Sequence, residues 1–166
     1  IIVAVVPAAD WMQLRPSPYK DLSQALQATG AQVVAERTSP LARITVVASP
    51  LVPFRHAPGM SLGSPMEPAP QLGVFSDGDG LSPLTRFDGN LAPLGYLDYL
   101  TSALPYHLKQ NPQVLVLGAG AGADVLQALY HRAASVDAVE LNPQVVALIR
   151  GEFAQYSGQL YDRPGV

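Results

Sequence analysis

A run of four apolar residues, Val114-Leu115-Val116-Leu117, passes without a spacer into Gly118-Ala119-Gly120-Ala121-Gly122, and a helix-forming stretch from Ala123 to Arg132 follows at once. This junction limits the fold more than any other feature of the chain. A continuous apolar run reads as a strand buried on both faces of a parallel sheet. Glycines allow a tight turn and let the backbone approach a ligand closely, and the helix behind them offers unpaired N–H groups and a partial positive charge. Ser135 to Leu141 reads as a second strand, and Pro143 to Tyr156 as a second helix with proline in its first turn. Two strand–helix pairs with short connections predict parallel pairing and a right-handed crossover.

Glu140 ends the second strand, twenty-two residues after Gly118. A carboxylate there can accept from both hydroxyls of an adenosine ribose lying across the sheet edge. Asn142 precedes Pro143 and is a natural helix N-cap. Gly118, Gly120, Gly122, Glu140 and Asn142 are therefore the candidate cofactor-binding residues. The competing structural reading is a tight strand–helix turn with an incidental surface Glu140. Loop, strand context and acidic spacing agree on an adenosine-containing cofactor. NAD stays open as that cofactor, because Gly118, Gly120 and Ala123 fit the G-x-G-x-x-G/A pattern and Glu140 suits its ribose. Against NAD, more than a hundred residues precede the strand at which many NAD domains begin.

Proline divides the 166 residues: fourteen of sixteen fall at or before Pro112, leaving Pro143 and Pro164. Proline breaks helix interiors and cannot donate to a ladder, so the first two-thirds should hold short strands, turns and loops. Pro18 to Thr29 predicts a short helix closed by Gly30. Gln32–Arg37 and Ala42–Ala48 predict a hairpin, and Ser49 to Pro70 an irregular loop. Gln71–Ser76 and Ser82–Phe87 flank Asp77-Gly78-Asp79-Gly80, a strong turn signal for a second hairpin. Leu97, Leu100, Ala103 and Leu104 predict a helix from about Leu94 to Leu108, bent or entered at Pro105. The expected fold class is α/β, a β-hairpin region followed by the first part of a doubly wound Rossmann-like sheet. Its divisions are 1–30, a strand and helix segment; 31–92, a small β-hairpin domain; and 93–166, the truncated N-terminal part of the cofactor-binding domain.

Composition narrows the partners. Net charge is -3 with only ten scattered Lys and Arg, which argues against a nucleic-acid surface. The chain has no cysteine, which removes disulfides, zinc ribbons and thiol catalysis. The opening Ile1-Ile2-Val3-Ala4-Val5-Val6 stops at Pro7, short of the roughly 20 apolar residues of a membrane span. It reads as a buried strand or the end of something longer. Asp77-Gly78-Asp79-Gly80 echoes half a calcium loop, but turn chemistry explains it better, since the downstream bidentate Glu is missing. His56, His107 and His131 are far apart in sequence, so no metal site is expected. No serine sits in a Gly-x-Ser-x-Gly elbow, so a hydrolase triad has no support.

At several of these stretches the chain resembles the polyamine aminopropyltransferases, the spermidine synthase-like proteins of the class I methyltransferase fold. The resemblance runs from about Gln32 to the C-terminus. Asp79-Gly80 followed by Leu84-Thr85-Arg86-Phe87-Asp88 is similar to the family's Asp-Gly hairpin. Tyr96-Leu97-Asp98 stands where the family carries Tyr-His-Glu. Gly118 to Gly122 resembles its Gly-Gly-Gly-Asp-Gly loop, and Val139-Glu140-Leu141-Asn142-Pro143 its Val-Glu-Ile-Asp-Pro. The segment Tyr156 to Pro164 resembles the approach to its third strand. The resemblance implies S-adenosylmethionine or its decarboxylated form as cofactor, and adds Tyr96 and Asp98 to the cofactor-binding candidates. For those two, a helix start with a capping acid is the structural alternative.

The activity implied is transfer of an aminopropyl or methyl group to an amine or other nucleophile. A small-molecule acceptor of the polyamine class, a homodimer and a cytoplasmic setting are the matching expectations, with this segment a soluble part of a longer protein. Three positions depart from the family: Ala121 replaces the loop's acid, Leu97 the His of Tyr-His-Glu, and Pro83 a Gln after Asp-Gly. Each substitutes an apolar group for a polar one associated with substrate amines. Asp124 is a candidate to compensate for Ala121, or else an acid favoured by the helix dipole. In the family, the acid that deprotonates the attacking amine follows later strands, so no catalytic residue is named within these 166 residues. An NAD-linked oxidoreductase and a non-catalytic nucleoside-binding module are the alternatives.

Overall fold

The computed structural model describes residues 16–166; the strand expected at Ile1–Val6 lies outside them. A four-stranded antiparallel sheet comes first, with strands β1 (Gln32–Thr38), β2 (Arg43–Ala48), β3 (Gln71–Ser76) and β4 (Asp79–Thr85) in sequence order across it. A parallel pair follows, β5 (Gln113–Leu117) and β6 (Ser135–Val139), in register from Gln113↔Ser135 to Leu117↔Val139. The helices are α1 (Asp21–Ala25), α2 (Leu104–Leu108), α3 (Ala123–Tyr130) and α4 (Pro143–Arg150). The mixed architecture and the parallel β5-α3-β6-α4 unit agree with the sequence reading.

The two expected hairpins form one sheet. β2 pairs with β3 across the irregular 49–70 segment, Ile44 opposite Ser76 and Val47 opposite Gly73. β2 buries Ile44, Thr45, Val46 and Val47 in succession, because both sheet faces are covered. On one face Val47 and Phe75 pack with Leu22 of α1. On the other, Ile44, Val46, Val74 and Leu84 join Val116, Val125, Leu126, Val136, Leu148 and Ile149 in one apolar cluster. The antiparallel sheet and the parallel unit thus share a core.

Several boundaries shift for local reasons. The β3–β4 turn is only Asp77-Gly78, both at positive φ (51° and 80°). That sign pattern is what a two-residue hairpin of matching twist requires. Asp79 and Gly80 already belong to β4, which carries an extra residue opposite β3 near Gly80. α1 stops at Ala25, because Gln27 and Ala28 donate to the carbonyls three residues back and tighten the chain out of the α-helix. α4 ends at Arg150, since Gly151 leaves helical geometry at ψ -94°.

Two expectations are corrected. The Leu94–Leu108 helix is instead a 3₁₀ segment (Ala92–Tyr99), an extended Leu100, a short 3₁₀ turn (Thr101–Ala103) and α2. Leu100 forms a β-bridge with Met60, while Ser61 N–H donates to Tyr99 and Thr101 N–H to Gly59. That tertiary pairing breaks the helix. The second correction concerns β5, read as buried on both faces. Val116 is buried, yet Leu115 and Leu117 are 61% and 74% exposed. They share a face with Val139, 50% exposed, while the opposite face, with Val116 and Val136, lies in the core with residues of α3 and α4.

Candidate functional site

The glycine loop joins β5 to α3, and all three of its glycines have positive φ: 75° at Gly118, 54° at Gly120 and 93° at Gly122. Their surroundings separate their roles. A Cβ on Gly118 would meet nothing within 4 Å, so this residue leaves open space above the loop. A Cβ on Gly120 would stand 2.6 Å from Ser82 Oγ, and one on Gly122 would collide with the Leu160 side chain. Open space beside the backbone is thus found at Gly118. Gly120 and Gly122 instead admit neighbouring side chains of the protein.

Glu140 lies one residue past β6 and its carboxylate is held by the backbone. Gly120 N–H donates to Oε2 at 2.8 Å and Asn142 N–H to Oε1 at 2.7 Å. Asn142 is buried and caps α4, its Oδ1 accepting from Gln144 N–H at 3.0 Å, as its position before Pro143 predicts. Two residues that are not among the sequence's site candidates complete the loop's surroundings. Ser82 Oγ of β4 accepts from Ala121 N–H at 2.9 Å, and Tyr161 Oη donates to the Gly120 carbonyl at 2.8 Å. Burial, reinforced by the nearby Glu140 charge, pushes the Tyr161 phenol well above its ordinary range. It stays a protonated donor. No local signal marks Ser82 or Tyr161, because their partners lie 39 and 41 residues away.

Two cavities flank the loop and share Ala119 as a wall. One, of about 140 Å³, lies against Glu140, Arg150 and Tyr161. The other, of about 240 Å³, lies between the antiparallel sheet and the parallel unit, with Gly118, Tyr96, His56, Ser82 and Asp124 in its lining. A larger groove of about 530 Å³ runs along β5 past Leu115 and Lys109. It touches neither a loop glycine nor Glu140.

Tyr96 thus faces the second cavity, largely buried, with desolvation raising its pKa. Asp98 goes elsewhere: its Oδ1 lies 2.9 Å from His107 Nε2 and 3.7 Å from His131 Nε2, and it is not in the lining of either flanking cavity. His131 stacks on Tyr106, with ring centroids 4.6 Å apart, and its pKa is lowered chiefly by burial. The histidines that are distant in sequence do meet here in part, but no group of metal-ligating side chains able to hold an ion occurs among the described residues. Ala121, where the resembled family carries an acid, is fully buried in the shared core. Asp124, exposed in the first turn of α3, is the only carboxylate among the described residues that line the larger flanking cavity.

No protein family model matches the chain, and no curated protein matches it. Among solved structures, a crystal structure of spermidine synthase in complex with the transition-state analogue AdoDATO matches with a TM-score of 0.49 at 18% identity. The chain is similar in fold to part of that protein. The match covers 81% of this chain and 38% of the other. No helix among the described residues is long and apolar enough to cross a membrane.

Proposed function

We propose that this chain carries the nucleoside-binding part of a spermidine synthase-like transferase, taking S-adenosylmethionine or its decarboxylated form and passing an aminopropyl or methyl group to an amine or other nucleophile. The observation that carries the reading is the Glu140 carboxylate beside the glycine loop. It spends one acceptor site per oxygen on backbone N–H groups, and a carboxylate has about four. The remaining lone pairs suit the vicinal hydroxyls of a ribose. A molecule crossing Ala119 reaches both cavities, each smaller than the roughly 300–1,000 Å³ of typical ligand pockets. In this pose the ribose lies against Glu140, and the chain beyond the sulfur runs past Gly118 toward Tyr96 and Asp124. Asn142, fixing Glu140 through its N–H, is a positioning residue.

The cofactor would supply an electrophilic carbon on a sulfonium. The protein's part is to hold that carbon in line with a nucleophile. Asp124 receives an ammonium group, from the cofactor or the acceptor, in a lining that mixes the polar His56, Ser82, Tyr96 and Ser102 with apolar Leu81, Pro83, Leu97 and Leu100.

Calorimetry with S-adenosylmethionine, its decarboxylated form, methylthioadenosine and NAD tests the proposal. The sulfur nucleosides should bind, and Glu140→Ala should weaken them by about 2–3 kcal/mol, the loss of charge-assisted hydrogen bonds. Tight NAD binding without response to the sulfur nucleosides would replace this reading by the oxidoreductase. Binding with no turnover of any amine by the full-length protein would leave a nucleoside-binding module.

A further inference from the structure

We infer that Ser82 is a positioning residue of the nucleoside loop, through which docking of the antiparallel sheet sets the conformation of the Gly120-Ala121 peptide and, through it, of the Glu140 carboxylate. The inference rests on the pocket reading above. Around Gly120 and Ala121, three polar groups from three separate elements fix consecutive backbone groups. Glu140, after β6, accepts from Gly120 N–H; Tyr161, of the 3₁₀ turn Leu160–Asp162, donates to Gly120 C=O; Ser82, of β4, accepts from Ala121 N–H. Of the three, only Ser82 comes from the antiparallel sheet.

Ala121 is fully buried, and the Ser82 hydroxyl is the partner its N–H has in the folded chain. A buried donor left unpaired pays its whole desolvation cost. The loop then lowers its energy by turning that N–H away, which displaces Gly120 and, with it, the Glu140 oxygen bonded to Gly120. At position 120 the hydroxyl adds a steric demand to the left-handed backbone, φ 54°, that already favours glycine. A Cβ there would lie 2.6 Å from Ser82 Oγ, so glycine at 120 and serine at 82 are a matched pair across the junction. The bulge near Gly80 shifts the strand register just before Ser82. It is the local device that sets where along the loop this side chain arrives.

The test combines amide hydrogen exchange at Ala121, read by NMR without ligand, with calorimetry for S-adenosylmethionine and methylthioadenosine. Ser82→Ala should raise Ala121 exchange by about tenfold and weaken nucleoside binding by a similar factor, as expected for one lost buried hydrogen bond. Ser82→Thr keeps the hydroxyl and should restore both. A merely structural loss would lower the melting temperature without this selective change at Ala121. Gly120→Ala should weaken binding strongly in the wild-type background and less in the Ser82→Ala background, a non-additivity that marks direct contact. Unchanged Ala121 exchange in Ser82→Ala overturns the clamp, and raised exchange with unchanged affinity overturns its link to the ligand. If wild type binds no nucleoside, the pocket reading itself fails, and the exchange arm still decides the clamp.

Discussion

The glycines of one loop differ by what stands beside each of them. Gly118 and Gly122 both need a left-handed backbone, but only Gly122 has a neighbour where a Cβ would go. Gly118→Ala should therefore cost about 1–2 kcal/mol of backbone strain. Gly122→Ala adds a collision with Leu160 and should cost roughly 2–5 kcal/mol. Urea midpoints of the two variants measure the gap, and equal losses would contradict the packing at Leu160. A second residue-level outcome concerns His131. Burial lowers its pKa, Asp98 opposes this and His107 adds to it, so the folded chain favours the neutral ring. With the folded pKa below the unfolded one, the contribution is complete above the unfolded value of 6.5 and is lost as pH falls through the folded value. Stability should drop on acidification from about pH 8 to about pH 5. His131→Phe, which keeps a ring against Tyr106, should make that drop shallower in thermal melts.

Elements formed where local preference and tertiary demand agreed, and moved where they did not. Asn142 before Pro143 announces the start of α4, and the structure makes that cap with Gln144 N–H. Asn142→Ala should cost about 1 kcal/mol, seen as a lower melting temperature with an unaltered circular dichroism spectrum. A turn over Asp77-Gly78-Asp79-Gly80 was legible as a turn but not in its length, because the chain reverses at Asp77-Gly78 and Asp79 already pairs with Ser76. The Leu94–Leu108 stretch was not legible. Its apolar spacing suits a helix, but Leu100 is drawn into a bridge with Met60, 40 positions away. Spacing within a window carries no information about such a partner. Asp98 followed the same fate, turned by its 3₁₀ segment toward His107 rather than the cavity that Tyr96 lines.

At the largest scale, and among the described residues, Leu115, Leu117 and Val139 stand side by side as exposed apolar residues on one face of β5 and β6. Such a patch should bind an apolar fluorescent dye. A Leu115→Lys, Leu117→Lys double variant should lose most of that signal while keeping its fold; full retention would mean the dye reads another surface. The sequence alone determined the order of elements, the parallel unit, the glycine loop and the carboxylate at Glu140, because each follows from residue types a few positions apart. Tertiary structure alone decided which glycine faces open space, that both hairpins join one sheet, and that Ser82 and Tyr161 hold the loop. The physical reason is range. Backbone propensity and periodicity act over a few residues, whereas the hydroxyls of Ser82 and Tyr161 reach Ala121 and Gly120 across about 40 residues and meet them only in the folded chain.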